Sequence, residues 1–288
     1  MLVLGLGIVV KKAQPQASWV DKFVLCGPVF VAMPMAVFGT EHYLDPAGVG
    51  GIIPAWIPAH TFWVIFVGTC LILGGVSIVI QKYAGLSAAL FGIMLLWFEV
   101  LMHIPRVVAA PHNGLAWMIA LRDLSFSCGA LSFAAMHVED CRINKMRWIV
   151  SVVARMVFAI ILIVWAVEYF LHPELLPGVP LRQLTPSFVP GHLLWGYPTS
   201  VAYAVAAVCI LINKKVHSAA SSVGLFVLFS TILFCIPIMV QNASNIGAGL
   251  NVVVDTLLLS GAMLCVAGRC AQSEEQGIMD GRFYEQET

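Results

Sequence analysis

Charge is what this sequence has least of. Only 10% of its 288 residues are Asp, Glu, Lys or Arg, where a soluble domain carries about 25%, and 60% are hydrophobic. Too little polar surface remains to cover a water-facing globule, which excludes a soluble fold. The formal net charge is zero, so the electrostatic basis for binding nucleic acid is missing. Paired cysteines are also missing. Cys26, Cys70, Cys128, Cys141, Cys209, Cys235, Cys265 and Cys270 contain no Cys-x-x-Cys spacing, so thiol redox chemistry has no motif and they read as small apolar packing groups. No nucleophile motif supports an enzyme acting alone.

Long apolar runs are what the chain has instead. A helix needs roughly 20 apolar residues to cross a bilayer, and eight such runs are present: 24–43, 62–80, 86–104, 115–137, 148–171, 192–212, 219–240 and 246–267. Backbone polar groups in hydrocarbon must be satisfied within the segment or in a closed barrel. Uninterrupted runs of this length therefore predict an all-α polytopic membrane protein with eight transmembrane helices. Twelve of the fifteen Lys and Arg residues fall on one side of this arrangement, and only Arg106, Arg122 and Arg182 fall toward the other. By the positive-inside rule both termini are expected to be cytoplasmic.

The eight runs are two sets of four. "IPAWIPAHTFW" (Ile53 to Trp63) returns 132 residues later as "TPSFVPGHLLW" (Thr185 to Trp195), and the same offset pairs Lys82 with Lys214, Gly92 with Gly224, Pro105 with Pro237, Asp123 with Asp255 and Gly129 with Gly261. Upstream, "EHYLDP" at Glu41 matches "EYFLHP" at Glu168 with an offset of 127, so the second copy carries extra loop residues. An even number of helices per copy predicts two parallel four-helix repeats related by a pseudo-twofold along the membrane normal. The expected segments are an N-terminal cytoplasmic segment (1–22), repeat one (23–137), a charged cytoplasmic connector (138–148), repeat two (149–270) and a polar, acidic, unstructured cytoplasmic tail (271–288). "MLVLGLGIVV" at the start is too short to span and reads as an interfacial stub or a start placed too early.

In each copy a proline-bracketed aromatic, Trp56 between Pro54 and Pro58 or Phe188 between Pro186 and Pro190, precedes a span. This suits a loop lying at the headgroup level. The motifs "FGTEHYLDP", "IPAWIPAHTFW", "GLSAALFGIMLLWFEVLMHIPRV" and "ALRDLSFSCGALSFA" resemble the DoxX-like family of small bacterial membrane proteins, over repeat one and more loosely over repeat two. Most members of that family are a single four-helix unit, so two in tandem is a departure. The resemblance implies a cytoplasmic-membrane protein. Some relatives are subunits of thiosulfate:quinone oxidoreductase or of oxidative-stress assemblies.

Ionisable residues inside a span are costly and mark candidate sites. Glu99 and His103 stand four apart on the third helix, close enough for a carboxylate–imidazole contact. With a 1.5 Å rise per residue, Glu99 lies about 9 Å inside Pro105 and Asp123 about 12 Å inside Leu115. Glu41, His60 and Arg122 fall at the same, outer side, so the candidate pocket is Glu41, His60, Glu99, His103, Arg122 and Asp123. Repeat two keeps Glu168, His192 and Asp255, which read as structural counterparts, whereas Thr231, Cys235 and Val254 replace Glu99, His103 and Arg122. Chemistry is therefore sought in repeat one. The histidines after Pro-x, His60 and His192, read more simply as closing their loops onto backbone. His60 and His103 could ligate haem, but repeat two lacks the second histidine and no haem or metal site is adopted. His137 and Cys141, beside Glu139 and Asp140, read as a solvated connector rather than as metal ligands.

Three functions remain open at this stage. One is an accessory subunit of a membrane redox or oxidative-stress complex, docked to a membrane or peripheral redox protein and holding a quinone. Another is a small-solute or proton-coupled transporter, weakened because no span is obviously broken by Gly and Pro in mid-membrane. The last is a structural scaffold. Apart from the quinone no cofactor is expected, and the bilayer is the partner common to all three.

Overall fold

A computed structural model describes residues 1–12, 16–137, 144–241 and 246–286. The described residues are helical apart from loops and a single isolated antiparallel bridge, Leu175 with Leu184. In chain order the helices are α1 (Leu2–Lys12), α2 (Trp19–Leu44), α3 (Pro46–Gly50), α4 (His60–Val79), α5 (Ala84–Phe98), a first π turn (Glu99–His103), α6 (Ile104–Ala109), α7 (Gly114–Met136), α8 (Asn144–Leu171), α9 (Gly196–Leu211), α10 (Val216–Ser230), a second π turn (Thr231–Cys235), α11 (Ile236–Gln241) and α12 (Ile246–Gln286). Seven helices among the described residues are long and apolar enough to cross a membrane. Large apolar side chains such as Phe62, Leu73, Leu90 and Val201 are exposed around them, which suits hydrocarbon and not water.

The expected span 192–212 is shorter than the sequence predicts. Its helix is α9, of 16 residues, because the Gly196 N–H donates to the Pro173 carbonyl at 2.8 Å. That donor is captured by the extra loop of the second half, so regular helix begins only there. The same loop is drawn into the bundle. Tyr169 and Tyr203 donate their hydroxyls to the carbonyls of Leu176 (2.8 Å) and Gly178 (2.6 Å), and Leu175, Leu176, Val179, Thr185 and Val189 are buried.

One further expectation is corrected. The polar tail is not unstructured through most of its length, since α12 continues to Gln286. Once a helix is nucleated by a buried stretch, each added residue needs only one more backbone bond. The connector falls largely on 138–143, outside the described residues, together with Glu139, Asp140 and Cys141. His137, just before it, has Nδ1 3.2 Å from the Phe133 carbonyl. At the other end α1 packs on α2, with Val9 buried in the common core.

Helix boundaries repeat with the register seen in the sequence. α5, the first π turn and α6 begin and end 132 positions before α10, the second π turn and α11. Left-handed residues recur likewise: Ala59, Gln81 and Tyr83 in the first half match Gly191, Asn213 and Lys215 in the second. Ser127 on α7 donates to the Gly92 carbonyl of α5, and Ser260 on α12, one position past the equivalent of Ser127, donates to the Gly224 carbonyl of α10, both at 2.8 Å.

Packing partners correspond too. α2 against α4 matches α8 against α9, α5 against α7 matches α10 against α12, and α7 against α8 matches α12 against α2. α7 and α12 also pack on each other. They are the most enclosed of the candidate spans. Small residues permit the close crossing: a Cβ on Gly129 of α7 would lie 2.3 Å from the Ala262 Cβ of α12.

Candidate functional site

The site begins with a proline. Pro105 has no N–H, and its ring would clash with the carbonyl four residues earlier, at Leu101, in a continuous α-helix. The preceding residues instead widen into the five-residue π turn Glu99–His103, closed by the Ile104 N–H donating to the Glu99 carbonyl, five residues back. Pro237 follows the second π turn in the same way, where the Ile236 N–H donates to the Thr231 carbonyl. These prolines do not end their spans, as the expected limits at Ile104 and Val240 imply for the first of them. They lie within helices that run on to Ala109 and Gln241. Both halves thus carry a π turn at corresponding positions within a helix that stays continuous, a local widening that the sequence reading did not anticipate. π turns occur disproportionately at functional sites.

The first π turn turns two ionisable residues inward. Glu99 is 7% and His103 6% exposed. The expected Glu99–His103 pair is not formed: His103 Nε2 instead lies 2.9 Å from Asp123 Oδ2 on α7. An ionised carboxylate is acceptor-only, so Nε2 carries the proton in this bond. Arg122 Nε donates to the other oxygen, Asp123 Oδ1, at 2.8 Å. Arg122 then reaches across the α7–α12 crossing, where Nη1 donates to Asp255 Oδ2 at 3.1 Å. One guanidinium therefore ties together the two aspartates that the 132-residue offset makes equivalent.

Further groups extend the network. Asn251, one turn before Asp255 on α12, turns its amide nitrogen toward Glu41 of α2, 2.7 Å from Oε1 and 3.1 Å from Oε2. This orientation is assigned because it sets a donor against an acceptor-only group. Glu41 is also within electrostatic range of Asp255, and Glu99 of His103, Asp123 and Arg122. Two oxygens are buried with no hydrogen-bond partner among the described residues, Glu99 Oε1 and Asp255 Oδ1.

Four carboxylates thus share one guanidinium and one imidazole. Even with His103 protonated, negative charge exceeds positive by two if every carboxylate is ionised. Leaving such charge inside a bilayer costs roughly 2.5 to 3.5 kcal/mol per group on insertion scales, so proton uptake is the direct way to remove it. No group of three or more His, Cys, Asp and Glu side chains among the described residues has the arrangement to hold a metal ion.

Of the residues singled out from sequence, Glu41, Glu99, His103, Arg122 and Asp123 come together. His60 does not join them. Its Nε2 lies 3.2 Å from the Pro54 carbonyl and closes the loop before α4, the simpler of its two roles. That bond engages Nε2 of His60, as Asp123 engages the Nε2 of His103. His192 sits in the turn before α9, where the loop is closed by Trp195 Nε1 donating to the Pro190 carbonyl at 3.0 Å. Glu168 is half-buried and joined to the network by no bond among the described residues.

Sequence reasoning assigned Asp255 to the structure of repeat two, and the bundle instead brings it to the chemistry of repeat one. The signal was available: a pseudo-twofold passing between two equivalent helices sets their equivalent residues face to face. Asn251 had no such signal, since its counterpart by the offset is Ile119. The matching position in the second half is apolar and filled. Cys235, Phe234, Leu176, Val189 and Val253 form a small cluster there. Comparison of the chain with protein-family models, with curated proteins and with solved structures gives no match.

Proposed function

We propose that this chain is an eight-span membrane protein, built of two parallel four-helix repeats with both termini in the cytoplasm of a cell whose inner membrane it crosses, and that it couples movement of a small solute to protons bound by the buried network. α9 counts as the eighth span because its partners α8 and α10 flank it as α2 and α5 flank α4. One observation carries the function. Both halves carry a π turn at corresponding positions, and one of these turns sets Glu99 and His103 against the Arg122–Asp123–Asp255 chain. π turns are frequent at functional sites, and transporters with internal repeats place their substrate and ion sites where the repeats meet.

The DoxX-like resemblance supports a second reading, an accessory redox subunit that holds a quinone and protonates its carbonyl from Glu99 and His103. Both readings need a buried carboxyl that titrates. They differ in whether proton movement requires a redox partner.

The test uses purified protein in liposomes. Infrared difference spectra across the neutral pH range should show a protonated-carboxyl band that Glu99→Gln or Asp255→Asn reduces. Proton flux down an imposed gradient, read with an enclosed pH dye while small solutes are screened, should be stimulated by the transported solute and lost in Glu99→Gln. If no carboxyl titrates, or if Glu99→Gln and His103→Ala change only the amount of protein inserted, the network is a structural clamp and the proposal fails. Flux that appears only with a reduced quinone and a partner protein would replace the first reading with the second.

A further inference from the structure

The two aspartates held by Arg122 are equivalent by sequence but unequal in their bonding. Asp123 has both oxygens satisfied, Oδ1 by Arg122 Nε at 2.8 Å and Oδ2 by His103 Nε2 at 2.9 Å. Asp255 has one bond, to Arg122 Nη1 at 3.1 Å, while its Oδ1 is buried without a partner on a residue 4% exposed. Charge around them is unequal as well. Glu41 on α2 stands on the Asp255 side, where Asn251 donates to it. The second π turn brings Thr231 and Cys235 to the place where the first brings Glu99 and His103, and neither supplies positive charge. Arg122 has no counterpart in the second half, where Val254 stands. Of the two aspartates, a proton arriving from water therefore finds its free acceptor at Asp255 Oδ1, with Arg122 still anchored to Asp123 by the shorter bond, while Glu99 Oε1, the other partnerless oxygen among the described residues, makes no bond to Arg122.

From this inequality we infer that Asp255 is a proton-binding site whose neutralisation releases Arg122 from α12 and loosens the α7–α12 seam at this end of the bundle. The inference rests on the proton-coupled reading. The step is simple in its balance: a hydronium ion gives up its proton, so one O–H bond breaks there as another forms at Asp255 Oδ1, water is left, and the carboxylate becomes a neutral acid. A charge-assisted bond is roughly twice as strong as a neutral one, so the α12 side of the bridge weakens while the α7 side is unchanged. Deeper along the two helices the Gly129–Ala262 contact has no titratable member and no room to shift closer. It serves as the fulcrum.

Movement at the seam is separable from proton binding, and the experiment measures both. Label-bearing amino acids other than cysteine replace His112, in the loop just before α7, and Gly247 at the start of α12. Both positions are exposed, and the native cysteines stay in place. Distances are read by pulsed electron resonance in lipid nanodiscs over a pH series, beside the infrared titration. The expected result is a longer distance at low pH in the parent protein and the longer distance at every pH in Asp255→Asn. Asp255→Glu, which keeps the acid, restores the pH dependence, and this guards against loss of fold in the Asn variant. Asp123→Asn should not hold the seam open at every pH. A distance that does not change with pH while a carboxyl still titrates overturns the clamp and leaves proton binding standing. Failure of any carboxyl to titrate overturns both. A pH-dependent distance that survives in Asp255→Asn assigns the switch to another residue and also overturns the inference.

Discussion

Asp123 and Asp255 stand 132 positions apart in the chain and hydrogen-bond to the same side chain, Arg122, at 2.8 and 3.1 Å. Residues that the 132-position offset pairs thus meet where α7 and α12 cross. A single unduplicated arginine, matched by Val254 in the second half, makes that meeting attractive rather than repulsive.

Removing the arginine should therefore cost more than removing either acid. Arg122→Gln leaves two facing carboxylates buried with no cation between them, and breaking a buried pair in this way costs about 3–5 kcal/mol. Arg122→Lys should recover only part of the loss, because an ammonium is a point charge without the guanidinium's fork. Thermal unfolding in detergent, with Asp255→Asn alongside, gives the order. Equal stability of Arg122→Gln and the parent would show that the bridge holds nothing together.

The two prolines should behave differently although their backbone roles match. Pro105→Ala restores the donor at position 105 and permits an ordinary α turn, which re-aims Glu99 and His103. Proton flux should fall at least about tenfold, equivalent to 1.4 kcal/mol, with the protein still inserted. Pro237→Ala changes a turn that carries Thr231 and Cys235 and should leave flux within about twofold of the parent, under 0.5 kcal/mol. Similar effects from both substitutions would detach the π turn from the chemistry.

Gly129 is a test of packing without charge. A side chain there meets the Ala262 Cβ of α12 at 2.3 Å, and overpacking of this kind costs about 1–3 kcal/mol. Gly129→Val should lower the melting temperature and push α7 from α12. Combining it with Ala262→Gly should recover part of the loss, and a lack of recovery would place the strain elsewhere.

Topology follows from the basic residues and is open to direct measurement. Reporters fused after Glu274 and inserted at positions 46–52 should report opposite sides of the membrane, with the C-terminal reporter cytoplasmic. Finding both on one side would remove the eight-span arrangement, since an odd number of crossings must separate them.

Much of the fold was legible because membrane insertion and duplication both leave linear signals. Apolar runs mark spans through their length, and the unbroken offset of 132 anticipated the equal boundaries of α5 and α10 or of α6 and α11. The site was legible in membership more than in connection. Glu99 and His103 look like a pair at four-residue spacing, yet His103 is bonded across to Asp123. The π turn reshapes their helix, and an acidic side chain on the facing helix is the better-placed acceptor. Pro105 was visible all along, but a proline just past an apolar run reads as a terminus unless the backbone beyond it is seen to continue, and Pro237 lay inside its expected span without marking the π turn before it.

By itself the sequence determined which residues are apolar, where the chain must be helical in a bilayer and which positions in the halves are equivalent, because each of these depends on local composition or on repetition. Only the tertiary structure decided that α7 and α12 lie against each other in the centre, that Arg122 spends its charge on both aspartates, and that Asp255 Oδ1 is left without a partner among the described residues. Those facts depend on which faces meet across the bundle. Crossing geometry sets them, and it is governed by contacts such as Gly129 on Ala262 between residues 133 positions apart.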